Sequence, residues 1–209
     1  MPASLATASA VFAQGWVMGA GLILAIGAQN ALVLRQGLMR QHVAAVVAVC
    51  TLSDWLLIAL GVFGLGALIQ ANPLLLDVFR FGGAAFLLGY ALLAAARAWR
   101  PGAGLGASGH AASLGATLSA AFAFTYLNPH VYLDTVLLLG GLGARQPAEL
   151  RAAFAAGAGL ASAMWFGLLG FGAAAAAPWL QSATTWRILD AVVALLMGGL
   201  GLQLLLQPL

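Results

Sequence analysis

The sequence predicts an all-α polytopic membrane protein with six transmembrane helices. This fold class rests on an extreme apolar composition, six long apolar runs and an abundance of glycine. Of 209 residues, 63% are hydrophobic and only 6% are charged, whereas an ordinary soluble domain is about 45–50% apolar and about 25% charged. Five acids and eight bases could not cover the surface of a soluble fold of this size. The composition therefore excludes a soluble enzyme, a disordered protein and a disulfide scaffold.

Each apolar run is long enough to cross a bilayer, whose hydrocarbon core of about 30 Å requires roughly 20 helical residues. The predicted spans lie near residues 15–34, 43–69, 78–96, 111–139, 152–177 and 188–206. Because the connections are short, we expect a single transmembrane domain over residues 1–209. The segment before the first run contains no Arg or Lys, so the positive region that opens a secretory signal peptide is missing.

Small residues are expected to mediate helix packing. Glycine occurs 27 times, and in a bilayer small residues let helices approach closely. Gly15 and Gly19 have the spacing of one such contact face. The single cysteine, Cys50, lies in an apolar run and cannot form an intramolecular disulfide, so we expect a packed core thiol.

The placement of the arginines predicts the orientation in the membrane. The loops after spans one, three and five hold Arg35, Arg40, Arg97, Arg100 and Arg187, whereas the opposite side holds Arg80, Arg145 and Arg151. Basic residues are enriched in cytoplasmic loops, so both termini are predicted to lie outside the cytoplasm. A net charge of +3, spread in this way, forms no basic face for nucleic acid.

The six spans divide into two halves of three, and the first span of each half is interrupted by polar residues. The interruptions are residues 27–30 (GAQN) and residues 126–129 (YLNP). Tandem halves with an odd number of helices must have opposite orientations, so two inverted three-helix repeats are predicted. Paired interruptions of this kind are the best sequence indication of a transporter's central binding site.

The proline of the second interruption should break the helix. Pro129 has no amide hydrogen, so the carbonyl of Thr125 loses its helical partner, and Asn128 is displaced from helical geometry. A broken helix at membrane depth is tolerated only where it is buried in protein or lines a wet cavity. Thr125, Asn128 and Pro129, with Gln29 and Asn30 of the first span, are therefore candidate substrate-binding residues. The alternative is a proline kink used only for packing.

Ionisable residues inside the spans are further candidates. Asp54 lies about eleven residues into span two, where an aspartate costs about 2.5–3.5 kcal/mol and is a functional candidate by default. Asp134 lies either at membrane depth or at a helix end. His130 could carry a proton, because its charge changes near neutral pH. The alternative for all three is a structural, hydrogen-bonded or ion-paired role. Asp77 and Asp190 lie near span ends and are expected to be solvated or paired.

Two long motifs resemble those of a known family. Residues 26–37 (IGAQNALVLRQG) are similar to the first-helix signature of the LysE/ArgO family of basic amino acid exporters, and residues 126–135 (YLNPHVYLDT) resemble its fourth-helix signature. Ser53 and Asp54 match the family's acidic position, and two short stretches of span five are also similar. The resemblance covers nearly the whole chain. Relatives commonly have Pro where this chain has Ala28, so the first break is less enforced here.

The resemblance implies export of L-arginine or L-lysine by a multi-pass protein of the bacterial inner membrane. Moving one positive charge outward costs about 2.3 kcal/mol per 100 mV of inside-negative potential, so export requires coupling. A carboxylate that binds either a proton or a cationic substrate would provide antiport. The expected partners are therefore a basic amino acid, protons and the lipid bilayer; no cofactor, metal or nucleic acid is expected. A homo-oligomer is a further possibility that the sequence does not decide.

Three other functions fit the sequence less well than this one. A neutral amino acid or another small cation could be exported by the same fold, although two carboxylates suit a cation better. A membrane enzyme would need a nucleophile with a base or a metal cluster, and three histidines and one cysteine supply neither. The hypothesis of a structural subunit predicts no polar breaks at membrane depth, whereas the sequence contains two. We therefore expect a transporter and not an enzyme.

Overall fold

The chain folds into apolar helices. A computed structural model describes residues 5–24, 27–64, 73–99, 113–128, 131–180 and 182–206, and in these residues there are eight main helices and no strand. The helices are α1 (Leu5–Ile23), α2 (Ala28–Met39), α3 (Val43–Val62), α4 (Pro73–Trp99), α5 (Leu114–Tyr126), α6 (Tyr132–Ala144), α7 (Arg151–Ala176) and α8 (Ala183–Leu206). The first eight residues of α6 are π-helical.

The helix lengths confirm the predicted class of an all-α membrane protein. Among the described residues, five helices are long and apolar enough to cross a membrane: α1, α3, α7, α8 and the part of α4 from Arg80 to Trp99. The predicted fourth span is divided into two shorter apolar helices, α5 and α6. The count of six spans stays a prediction.

Several helices begin or end away from the predicted bounds of their apolar runs. α3 ends at Val62, before the run ends, and Gly64 follows with a φ of 104°. Glycine populates positive φ without the steric cost that a Cβ imposes. α4 begins at Pro73 and α8 at Ala183, several residues before their predicted spans, and proline is favoured in the first turn because its missing amide hydrogen is not needed there.

Helix α7 packs against both segments of the first predicted span. A Cβ on Gly15 of α1 would meet the backbone oxygen of Phe154, and one on Gly19 would lie 3.0 Å from Cα of Ala158. On α2, a Cβ on Gly37 would lie 2.5 Å from the backbone oxygen of Gly170. The predicted contact face of Gly15 and Gly19 is therefore confirmed. Both segments meet α7 in the same sequence order, so they run parallel to it.

Helices α4 and α8 form a pair that packs along its length. The aromatic rings of Phe86 and Tyr90 on α4 lie edge-on to Phe124 of α5, with ring centroids 4.9 Å and 4.7 Å apart. This contact and the packing of α2 against α8 join the pair to the other helices. Cys50 is buried in the same core as a free thiol, as expected.

The described arginines separate into the two groups predicted from the loops. Arg40, at the end of α2, donates from Nε to the oxygen of Ala174 at the end of α7 (2.8 Å), and Arg187 donates to Ala98 at the end of α4 (3.1 Å). We call this the arginine-rich end; its described arginines are Arg35, Arg40, Arg97 and Arg187. Arg80, Arg145 and Arg151 belong to the opposite end, while Arg100 lies outside the described residues. Which end faces the cytoplasm stays a prediction.

Candidate functional site

Two helix breaks define the candidate site. The first separates α1, which ends at Ile23, from α2, which begins after the extended residue Gly27. The second separates α5, which ends at Tyr126, from the helical residues that begin at 131. Both breaks lie at the interruptions predicted from the sequence. Pro129 and His130 lie outside the described residues.

In each break, a side chain from the second helical segment satisfies a carbonyl of the first. Asn30 donates from Nδ2 to the oxygen of Ile23 at 2.9 Å, and the Tyr132 hydroxyl donates to the oxygen of Tyr126 at 2.9 Å. Trp165 of α7 donates from Nε1 to Oδ1 of Asn30 at 3.1 Å. A backbone group without a partner costs several kcal/mol at membrane depth. These contacts therefore allow the chain to leave the helix there.

Both breaks line one central cavity of about 210 Å³. Its polar lining combines residues from α2, α3, α6, α7 and the second break: Gln29, Asn30, Asp54, Asn128, Asp134, Thr135 and Ser162. Five of the eight predicted site residues, which are spread over more than 100 positions of the chain, are therefore brought together. The apolar wall includes Ile58, Ala158 and Leu200.

Asp54 is the buried acid of the cavity. It lies eleven residues after Val43, or about 17 Å along the helix axis at 1.5 Å per residue, and is only 6% exposed. Its Oδ2 atom accepts a hydrogen bond of 2.8 Å from Oγ of Ser162 on α7. Hydrogen bonds to an ionised acceptor are about twice as strong as neutral ones. Gln29 lies beside Asp54, and its buried Nε2 atom has no well-aligned hydrogen-bond partner among the described residues.

The other candidates differ in their surroundings. Asp134 lines the cavity from the π-helical part of α6 and is exposed, whereas Asn128 is buried. Thr125 is fully buried, and its hydroxyl donates to the oxygen of Ala121 at 2.9 Å; the structure does not bring it into the cavity lining. Asp190 is paired with Arg97 at 3.0 Å, as expected of an acid near a span end.

Ser162 is the main residue that sequence reasoning missed. It lies in one of the stretches that resemble the family, but serine is common in membrane helices and gives no signal by itself. Its contact with Asp54 joins residues 108 positions apart, a distance that no local pattern reveals. Thr135 was missed in the same way, although it directly follows Asp134.

The charges of the cavity suit a cation that also carries a polar or anionic group. Two carboxylates line it, and no basic residue does so among the described residues. The first turn of α2 also faces it, and the unpaired amide hydrogens of a helix N-terminus carry a partial positive charge. No group of three or more His, Cys, Asp or Glu that could hold a metal ion occurs in the part of the chain that the structure describes.

Comparisons with known proteins identify the family of the chain. The family model for "LysE type translocator" matches residues 20–208. The chain is 50% identical over 184 residues to "Putative amino-acid transporter Mb0498" of Mycobacterium bovis, which covers 88% of this chain and 91% of the relative. It is 44% identical over 192 residues to "Putative amino-acid transporter YggA" of Aeromonas salmonicida, covering 91% and 93%. No solved structure matches significantly. The chain therefore belongs to the LysE type translocator family.

Proposed function

We propose that this protein exports basic amino acids, L-arginine or L-lysine, from the bacterial cytoplasm across the inner membrane. The observation that carries the proposal is the pair of carboxylates, Asp54 and Asp134, in a cavity that no basic side chain of the described residues lines. The names of the relatives support amino acids as the class of substrate, and the charge of the cavity favours a cationic one.

The substrate's charged side chain would bind at Asp54. A guanidinium group can bridge a carboxylate through two hydrogen bonds; Oδ2 of Asp54 accepts from Ser162, and Gln29 lies beside the same carboxylate. A buried carboxylate is costly unless a cation or hydrogen-bond donors accompany it. The bound cation would therefore be stabilised at this depth.

The α-carboxylate of the substrate would bind at the start of α2. Anionic groups are favoured at helix N-termini, where backbone amide hydrogens point at the ligand. Gly27 precedes α2 without a side chain that would cap these amides. Nε2 of Gln29, which is buried beside Asp54 without a well-aligned partner, would supply a further donor. Asn30 would act differently, because its amide already supports the break.

Coupling to protons would come from the same carboxylate. Outward movement of a cation opposes the membrane potential by about 2.3 kcal/mol per 100 mV. If a proton replaces the substrate at Asp54 on the return step, one charge moves inward for each charge exported. The exchange is then electrically neutral and is driven by the proton gradient.

The test is efflux from proteoliposomes loaded with labelled arginine, lysine or leucine, with and without an imposed pH gradient. We expect arginine or lysine to leave at least tenfold faster than from liposomes without protein, with a further rise under the gradient. Leucine is the neutral control. Faster efflux of leucine than of both basic amino acids would replace the proposal with the export of neutral amino acids.

A further inference from the structure

An ionic cluster joins three helices at the arginine-rich end, outside the cavity. Asp190 of α8 is buried, and its Oδ1 atom lies 3.0 Å from both Nε and Nη2 of Arg97 on α4. Nε of Arg35 on α2 lies 4.0 Å from the same oxygen. This ionic cluster of Arg35, Arg97 and Asp190 therefore brings two guanidinium groups to one carboxylate.

Within the ionic cluster, Arg35 connects Asp190 to the first helix break. Arg35 follows Gln29 by six residues on α2, which is about 9 Å along the helix axis. The first turn of α2 lines the cavity, so the same short helix carries a cavity wall at one end and Arg35 near the other. A movement of α2 that changes the cavity must also move Arg35.

Arg97 connects Asp190 to the second helix break. The guanidinium carbon of Arg97 lies 5.6 Å from the ring centroid of Tyr90, and the Tyr90 ring is edge-on to Phe124. Phe124 is fully buried and precedes Asn128, a cavity residue, by four positions. Asp190 is thus connected through packed side chains to both breaks.

We propose that Asp190 is a positioning residue for transport. By holding Arg35 beside Arg97, it keeps α2 against α8 and closes the cavity toward the arginine-rich end. The interface between these helices is apolar, since Leu32 of α2 belongs to the same buried hydrophobic cluster as Val193 and Met197 of α8. The α8 helix also reaches the cavity wall through Leu200.

The two contacts of Asp190 suit a closure that can open. Arg97 lies 3.0 Å from Oδ1 of Asp190, whereas Arg35 lies 4.0 Å from the same oxygen. When α2 separates from α8, the Arg35 contact is lost first and Asp190 keeps Arg97. Opening therefore leaves no unpaired buried carboxylate, which would be strongly destabilising.

The single cysteine reports such an opening directly. Cys50 is fully buried on α3, beside Gln29, and lies one helical turn closer to the arginine-rich end than Asp54. Separation of α2 from α8 should expose it from that end. Labelling of Cys50 by a membrane-impermeant methanethiosulfonate, applied to sealed vesicles of either orientation, is therefore the readout.

The principal variant is Arg35→Gln, because it leaves the pair of Asp190 and Arg97 intact and should still insert. We expect Cys50 to be labelled at least fivefold faster from the arginine-rich end, with no change from the opposite side. Arg35→Lys keeps the charge and should restore slow labelling. Arg187→Gln is the matched control, since Arg187 lies at the same end outside the ionic cluster. The double variant Asp190→Asn with Arg97→Gln removes the close pair and should also label fast.

An unchanged labelling rate in both Arg35→Gln and the double variant, at normal membrane abundance, would overturn the proposal. An equal increase from both sides would also overturn it, since that indicates general loosening. The proposal rests on the proposed function only for its transport readout: the maximal export rate should fall at least threefold in Arg35→Gln while KM changes less than twofold. If no basic amino acid is exported at all, the proposed function fails, but the labelling still decides the role of Asp190.

Discussion

Asp54 and Asp134 both line the cavity, but their surroundings separate their roles. Asp54 is 6% exposed and accepts a hydrogen bond from Ser162, whereas Asp134 is exposed on the π-helical segment. Desolvation of a carboxylate is costly unless a cation accompanies it, so Asp54 has the greater electrostatic effect on a bound cation. In the proposed function, Asp134 would attract the substrate into the cavity.

Asp54→Asn should lower export at least tenfold and abolish its dependence on the proton gradient. Asparagine keeps the size of the side chain but can neither ionise nor bind a proton. Asp134→Asn should cause a smaller loss, and Asp77→Asn, at an exposed position on α4, should cause none. The measurement is efflux of labelled arginine or lysine at matched membrane abundance. Normal proton-coupled export by Asp54→Asn would mean that Asp134 or His130, and not Asp54, is the exchange residue.

At the scale of the helices, the sequence predicted where the breaks lie but not how they are held. The residues around positions 27 and 128 are recognisable because they place amides and proline within apolar runs. The support of each break was not predictable, because Asn30 contacts Trp165, 135 positions away, and Tyr132 returns to Tyr126 across the break. Asn30 was predicted as a substrate ligand; its described hydrogen bonds are structural.

Close helix contacts give a matched pair of glycine variants. A Cβ on Gly61 of α3 would lie 2.5 Å from the oxygen of Val136 and 2.8 Å from Cα of Gly140, whereas one on Gly89 of α4 would meet nothing within 4 Å. Gly61→Ala should therefore force α3 away from α6 and cost about 1–3 kcal/mol. Gly89→Ala should be neutral or slightly stabilising. The measurement is the apparent Tm in mild detergent; equal shifts in both variants would show that the contact is not tight.

The arrangement of the whole molecule was predictable from composition and charge only up to a point. The apolar runs predict the class of helical membrane protein. The positions of the loops predict correctly on which end each described arginine lies. The pairing of α4 with α8 and the contact of Asp190 with Arg97 were not predictable, because residues 93 positions apart meet without any local pattern. The division of the fourth predicted span into α5 and α6, in contrast, follows from the interruption at residues 126–129.

The orientation of the molecule follows from the arginine-rich end. Loops that carry more basic residues are retained in the cytoplasm, so the ends of α2, α4 and α7 should face it. With six spans, both termini then lie on the periplasmic side. A green fluorescent protein fused after Leu209 should be dark, because it folds poorly outside the cytoplasm, and alkaline phosphatase at the same position should be active. Fusions after Arg100, just beyond the arginine-rich end of α4, are the control and should show the reverse. Fluorescence at both positions would mean that an even number of spans follows Arg100, so that α5 and α6 together do not cross the membrane as one span.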